Sequence, residues 1–194
     1  MKILILNGSP RSQGLISQML KQMAQEAEKC GAQVEWVTIN RLLMRPCLGC
    51  MNCRSKHTCV LPQDDAHKTM EKINEADALI VGTPCYWGNM NGYLKVLFDR
   101  IVYGLIQDSE DGKLLPKPLQ KGKKAIVIST STTPWPWNLL FGQSNGAVKS
   151  VTKILRLSGY SIIGKLQKGD TRRQTSWSEK EIARGQKMIH RLCK

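Results

Sequence analysis

The apolar positions of this chain alternate between two rhythms. Lys2 to Leu6 is a short apolar run that ends in Asn7-Gly8-Ser9-Pro10, which predicts a buried strand followed by a loop. Leu15, Ile16, Met19, Leu20, Met23 and Ala27 then recur at helical spacing, with Gln, Lys and Glu between them. Gly31 is placed to close that helix in the left-handed conformation. Val34 to Ile39 predicts a second strand. The chain thus opens on a strand–helix–strand unit, whose parallel crossover is expected to be right-handed.

The pattern continues in the same sense. Ala66 to Glu75 predicts a helix, and Asp77 to Gly82 a third strand that ends in Thr83-Pro84. Tyr93 to Ile106 predicts a strongly apolar helix carrying Leu94, Leu97, Phe98, Ile101 and Leu105. Ala125 to Thr130 reads as a fourth strand, followed by a Trp/Pro-rich loop to about Leu140. Ala147, Val148, Val151, Ile154 and Leu155 mark another helix, Tyr160 to Leu166 a fifth strand, and a last helix starts near Ser178. Five strands alternating with five helices specify an open α/β sheet covered on both faces. No internal repeat or linker interrupts residues 1–194, so one domain is expected, with an aperiodic insertion at about 41–64. Such sheets bind ligands beyond the carboxyl ends of their strands, which directs attention to the loops after the first, third and fourth.

Composition narrows the function. The 194 residues are 41% hydrophobic, enough for one real core. No apolar run approaches the roughly 20 residues of a membrane helix. The N-terminus shows no signal-peptide h-region, so a cytoplasmic protein without a membrane partner is expected. Lys plus Arg total 29 against 15 Asp plus Glu, a net charge of +14. That excess favours anionic partners, either a phosphorylated cofactor or an acidic electron-transfer protein. Nucleic acid is disfavoured because no recognition motif accompanies the charge.

Two loops carry candidate chemistry. The first, Asn7 to Ser17, offers backbone N–H groups at a helix start, the hydroxyls of Ser9, Ser12 and Ser17, and the guanidinium of Arg11. This set suits an anion. It is neither a mononucleotide P-loop nor Gly-x-Gly-x-x-Gly. The second reads Thr83-Pro84-Cys85-Tyr86-Trp87-Gly88-Asn89-Met90-Asn91-Gly92. Adjacent aromatics beside a Met and an amide suit a flat, partly polar ring system.

With Gly8-Ser9-Pro10-Arg11 and the downstream Leu94-Lys95-Val96-Leu97-Phe98-Asp99-Arg100, the second loop resembles the NADPH-dependent FMN reductase family, and within it the iron–sulfur flavoprotein branch. The resemblance covers roughly Met1 to Leu166. It implies a flavodoxin-like three-layer α/β/α sandwich with a five-stranded parallel sheet in the order 2-1-3-4-5. It also implies bound FMN, NAD(P)H as co-substrate, a small-molecule or protein electron acceptor, and a homodimer or homotetramer. Ser9, Arg11 and the turn through Gly14, Ile16 and Ser17 would hold the phosphate. Pro84, Cys85, Tyr86, Trp87, Gly88, Asn89 and Met90 would line the ring, approached by Thr130 and Ser131. No catalytic side chain is named, since the flavin carries the chemistry. The sequence departs from the family where Leu15-Ile16 replaces a polar pair, which removes two side-chain phosphate contacts.

The seven cysteines include Cys47, Cys50, Cys53 and Cys59, crowded into thirteen residues. Thiolates this close in one loop suit a compact [4Fe–4S] cluster, and the resemblance implies one. Thiols without metal are a second reading. Zinc is a third, ranked lower because structural zinc more often takes two separated pairs. Besides an FMN oxidoreductase, the sequence admits a flavodoxin-like carrier without a small-molecule substrate. A zinc- or thiol-based nucleic-acid module is the remote alternative.

Overall fold

A computed structural model describes residues 1–109, 116–134 and 136–194. Its elements, in chain order, are β1 (Lys2–Asn7), α1 (Leu15–Lys29), β2 (Gln33–Thr38), α2 (Cys53–Lys56), α3 (Asp65–Glu75), β3 (Ala78–Pro84), α4 (Gly92–Arg100) and α5 (Val102–Leu105). They continue with β4 (Ile106–Gln107), β5 (Lys117–Pro118), β6 (Lys124–Thr130), α6 (Trp137–Leu140), α7 (Gln143–Leu157), β7 (Ser161–Lys168) and α8 (Glu179–Leu192).

Five strands form one parallel sheet in the order β2-β1-β3-β6-β7. Counted within this sheet alone, that is 2-1-3-4-5. Period-2 alternation along β1 builds the layers. Ile3 and Ile5 face Ile16, Met19 and Leu20 of α1 and Met188, Ile189 and Leu192 of α8. Leu4 and Leu6 point the other way, into Met70 and Ile73 of α3, Leu94 and Leu97 of α4, and Val148 and Val151 of α7. All four β1 side chains are fully buried. Each such burial is worth about 1.5–3 kcal/mol, so both faces of the central strand hold helices in place.

One glycine sets how closely α1 approaches the sheet. A Cβ on Gly82 would lie 2.7 Å from Ile16 Cγ2 and 2.8 Å from Leu20 Cδ1. Gly82→Ala is therefore expected to destabilise the fold by about 1–3 kcal/mol through overpacking, read as a lower urea midpoint at unchanged slope. A wild-type midpoint would show that α1 is free to shift outward.

Several expectations need correction. The predicted helix Tyr93 to Ile106 breaks at Ile101 into α4 and α5, and its last residue opens the two-stranded antiparallel β4–β5 sheet. The break seats Gly104 against Met70, where a Cβ would meet Met70 Sδ at 2.5 Å. The Trp/Pro-rich loop contains the one-turn helix α6, while its Trp135 lies outside the described residues. Elements of two to four residues are too short to show a period. Among the described residues, no helix is long and apolar enough to cross a membrane.

Candidate functional site

The first loop is built around Asn7, a buried residue at the end of β1. Its Oδ1 accepts from the Ser9 N–H at 3.0 Å, and its Nδ2 donates to Ser17 Oγ at 3.0 Å. Ser17 Oγ in turn donates to the Arg11 carbonyl at 2.8 Å. Ser9 Oγ accepts from the Arg11 N–H at 3.2 Å. Gly8 donates its N–H to the Gly82 carbonyl at 2.7 Å, which pins the loop to β3. At Gly14 the helix α1 starts with no side-chain cap and no acidic residue in its first turn. The first N–H groups of a fifteen-residue helix are thus left for a ligand, at the positive end of its dipole.

The second loop leaves β3 at Pro84. Cys85 donates its N–H to the Thr130 carbonyl at 2.8 Å, joining it to β6. Tyr86 and Asn89 exchange both backbone hydrogen bonds at 2.9 Å. Between them Trp87 and Gly88 have φ of +51° and +70°, the geometry of a type I′ turn. Trp87 is 99% exposed, and its left-handed backbone is a conformation a bulky residue rarely adopts. Asn91 then caps α4, with Oδ1 accepting from the Leu94 N–H at 2.9 Å. Its Nδ2 donates back to the Gly8 carbonyl, so one buried amide ties the two loops together.

A third wall comes from β6 and β7. The loop after β7 is bonded to the loop after β6: Ser131 donates to the Lys168 carbonyl at 2.9 Å, and Thr171 to the Ser131 carbonyl at 3.2 Å. Trp177, just before α8, donates Nε1–H to the Leu15 carbonyl at 2.7 Å and braces the start of α1.

Together these loops enclose a cleft of about 400 Å³ at the carboxyl ends of β1, β3 and β6. Of the residues expected to bind cofactor, Ser9, Arg11, Gly14, Ile16, Pro84, Cys85, Tyr86, Thr130 and Ser131 line it. Ser17, Trp87, Gly88, Asn89 and Met90 do not. Ser17 is consumed in bracing the loop. Met90 is buried in the core beside Leu94, Trp87 projects into solvent, and Gly88 and Asn89 complete the turn. Gln13, Gln18, Thr132, Thr171 and Thr175 line the cleft without having been anticipated. Thr171 and Thr175 lie in a polar stretch after the fifth strand of the sheet, which carries no motif. Burial pushes the Cys85 thiol up, so it stays protonated at neutral pH, which suits packing rather than nucleophilic attack.

The cysteine loop lies at the other end of α4. Cys47, Cys50, Cys53 and Cys59 all line one cavity of about 80 Å³, and none is in a disulfide. Among the described residues, however, no three His, Cys, Asp or Glu side chains are gathered closely enough to hold a metal ion. The four thiols share this cavity without being drawn together. Arg100, fully buried, closes the cavity floor. Its Nη1 and Nη2 donate to the two Asp64 carboxylate oxygens at 2.6 and 3.1 Å, and Nη1 also to the Arg45 carbonyl at 2.7 Å. Burial pushes the Asp64 carboxyl up, but hydrogen bonds from Arg100 and His67 outweigh it and hold it below the usual carboxylate range.

The sequence model of the NADPH-dependent FMN reductase family matches residues 1–135. An iron–sulfur flavoprotein of Archaeoglobus fulgidus is 39% identical over 100 residues, 52% of this chain and 48% of that protein. One of Methanocaldococcus jannaschii is 31% identical over 100 residues, 52% of this chain and 51% of its own length. The chain therefore spans about half the length of the curated relatives it matches. The FMN-dependent NADH-azoreductase of Bacillus anthracis, solved in complex with FMN, superposes over 100% of both chains with a TM-score of 0.71 at 15% identity, a likeness of fold.

Proposed function

The chain belongs to the NADPH-dependent FMN reductase family, and from that premise we propose that it is an FMN-dependent oxidoreductase that takes electrons from NAD(P)H. The observation that carries this reading is the cleft itself. It has an anion-seeking end at Ser9, Arg11 and the uncapped start of α1, and a flat end between Pro84–Tyr86 and Thr130–Ser131. The residues fit the group. Ser131 Oγ is buried on the cleft wall with no hydrogen-bond partner among the described residues, an unmet demand that the polar edge of a ring ligand satisfies. When bound, FMN supplies the hydride and electron chemistry. The protein binds its phosphate through backbone N–H groups, Ser9 and Arg11, and orients its ring.

Phosphate dependence is the test. FMN added to flavin-free protein is expected to quench its own fluorescence on binding, and riboflavin to bind at least about tenfold more weakly, because a charge-assisted hydrogen bond is worth about 1.5–3 kcal/mol. Equal affinity for the two flavins, or no binding of either, would sink the reading.

The four-cysteine loop adds a second element to the proposal: a [4Fe–4S] cluster held by Cys47, Cys50, Cys53 and Cys59. Their shared cavity supports it, together with the likeness to iron–sulfur flavoproteins. Ligation requires the loop to tighten around the cluster. The nine residues of α4 run from the cleft to this loop, about 13 Å at 1.5 Å per residue. Anaerobic reconstitution with iron and sulfide distinguishes the cluster from zinc or bare thiols. Self-association as a homodimer or homotetramer also belongs to the proposal. It is supported by the exposed Trp87, Tyr93, Trp137 and Phe141, and sedimentation measures it.

A further inference from the structure

Two cysteines outside both sites lie at the ends of neighbouring helices on one face of the sheet. Cys30 follows the last residue of α1 and Cys193 the last residue of α8. The two helices pack side by side and run in the same direction. Gly185 of α8 meets Met19 and Met23 of α1. One turn before each cysteine, His190 Nε2 lies 2.7 Å from Glu26 Oε1, an offset of 164 residues. Cys193 lies three residues beyond His190 and Cys30 four beyond Glu26, so the paired helix ends bring the two thiols together, and Cys30 helps to hold the Cys193 thiol up. Neither is in a disulfide; Cys30 is exposed and Cys193 half-buried. The fifteen residues of α1 separate the pair from the cleft by about 22 Å.

We propose that Cys30 and Cys193 form a reversible dithiol–disulfide couple, oxidised by a small-molecule disulfide of the glutathione class. The exposed Cys30 thiolate attacks one sulfur of that disulfide, breaking its S–S bond and releasing one thiol. Cys193, held alongside by the helix packing, then attacks Cys30 Sγ, forming the Cys30–Cys193 bond and releasing the second thiol. Two protein thiols are oxidised and one small disulfide is reduced, so electrons and protons balance. Burial pushes the Cys193 thiol up, which suits it to the second step rather than the first. The bond would staple the ends of α1 and α8 and restrict the unfolded chain between them.

The test equilibrates the full-length protein in graded mixtures of glutathione and glutathione disulfide, followed by acid quenching, alkylation and non-reducing peptide mapping. The expected result is loss of Cys30 and Cys193 alkylation with a common midpoint and a single cross-linked peptide. The unfolding temperature should rise by several degrees and fall back on reduction. Cys193→Ser should convert Cys30 to a lasting glutathione adduct and abolish the temperature shift. The proposal is overturned if wild-type Cys30 accumulates as that adduct while Cys193 stays alkylatable. It is equally overturned if Cys193 pairs with a loop cysteine, or if both remain thiols in pure glutathione disulfide. Mapping needs no bound flavin, so the outcome is independent of the proposed function.

Discussion

Asn91→Ala is expected to weaken FMN binding by at least about tenfold, or 1.4 kcal/mol, and to destabilise the protein by about 2–4 kcal/mol. Two losses combine in the stability figure. Removing the cap of α4 costs about 1 kcal/mol. Leaving the Gly8 carbonyl without its buried donor costs about 1–3 kcal/mol. The affinity loss follows from geometry, because Asn91 is the side chain that holds the first loop against the second. Asn91→Asp separates the effects. Its carboxylate still accepts from the Leu94 N–H, but it cannot donate to Gly8. It should therefore keep α4 capped and still lose flavin affinity. Fluorescence titration with FMN and urea unfolding measure the two quantities. Wild-type affinity in both variants would show that the loops keep their spacing without this amide.

The second large effect is expected at Asp64. Asp64→Ala should cost on the order of 3–5 kcal/mol, because it strips a fully buried guanidinium of its bidentate partner. Asp64 also begins α3 with a capping box shared with His67, worth about 1 kcal/mol of that total. Asp64→Asn retains the cap and isolates the ion pair, and the double variant with Arg100→Met should recover part of the loss. The pH dependence has a definite sign. The folded carboxyl titrates below its unfolded value, so its contribution is complete above about pH 4. It is lost as pH falls through the lower folded value. The stability gap between wild type and Asp64→Asn should thus be constant near neutrality and close only in acid. A gap that instead narrowed as pH rose would contradict this assignment.

Legibility in the sequence followed the length over which a residue's role is decided. Leu15 to Ala27 shows a helical period because one continuous face meets the sheet, and α1 lies where that period places it. The last helix, expected to start near Ser178, does start there, and the structure adds a capping box between Ser178 and Glu181. The uncapped helix start of the first loop was legible because a helix start after a strand presents the same unpaired N–H groups wherever it occurs. Ser17 was misread. A hydroxyl near that loop looks like a ligand contact until the structure shows it bonded to Asn7 and Arg11. Met90, expected at the ring, is buried in the core, and a Met beside two aromatics gives no sign of which way the chain turns. The turn at Trp87 and Gly88 sends Tyr86 to the cleft, Trp87 to solvent and Met90 into the core.

By itself, then, the sequence determined the alternating α/β order, the faces its helices bury, and the two loops that line the cleft. Those features depend on near neighbours and on local periods, which a linear string records. Only the tertiary structure decided that Asn91 joins the loops, that Thr171 and Thr175 complete the cleft, and that Arg100 underlies the cysteine loop. It alone brought Cys30 to Cys193. Each of these joins residues far apart in the chain, and their meeting depends on how helices register across a folded sheet, a distance that no local pattern encodes.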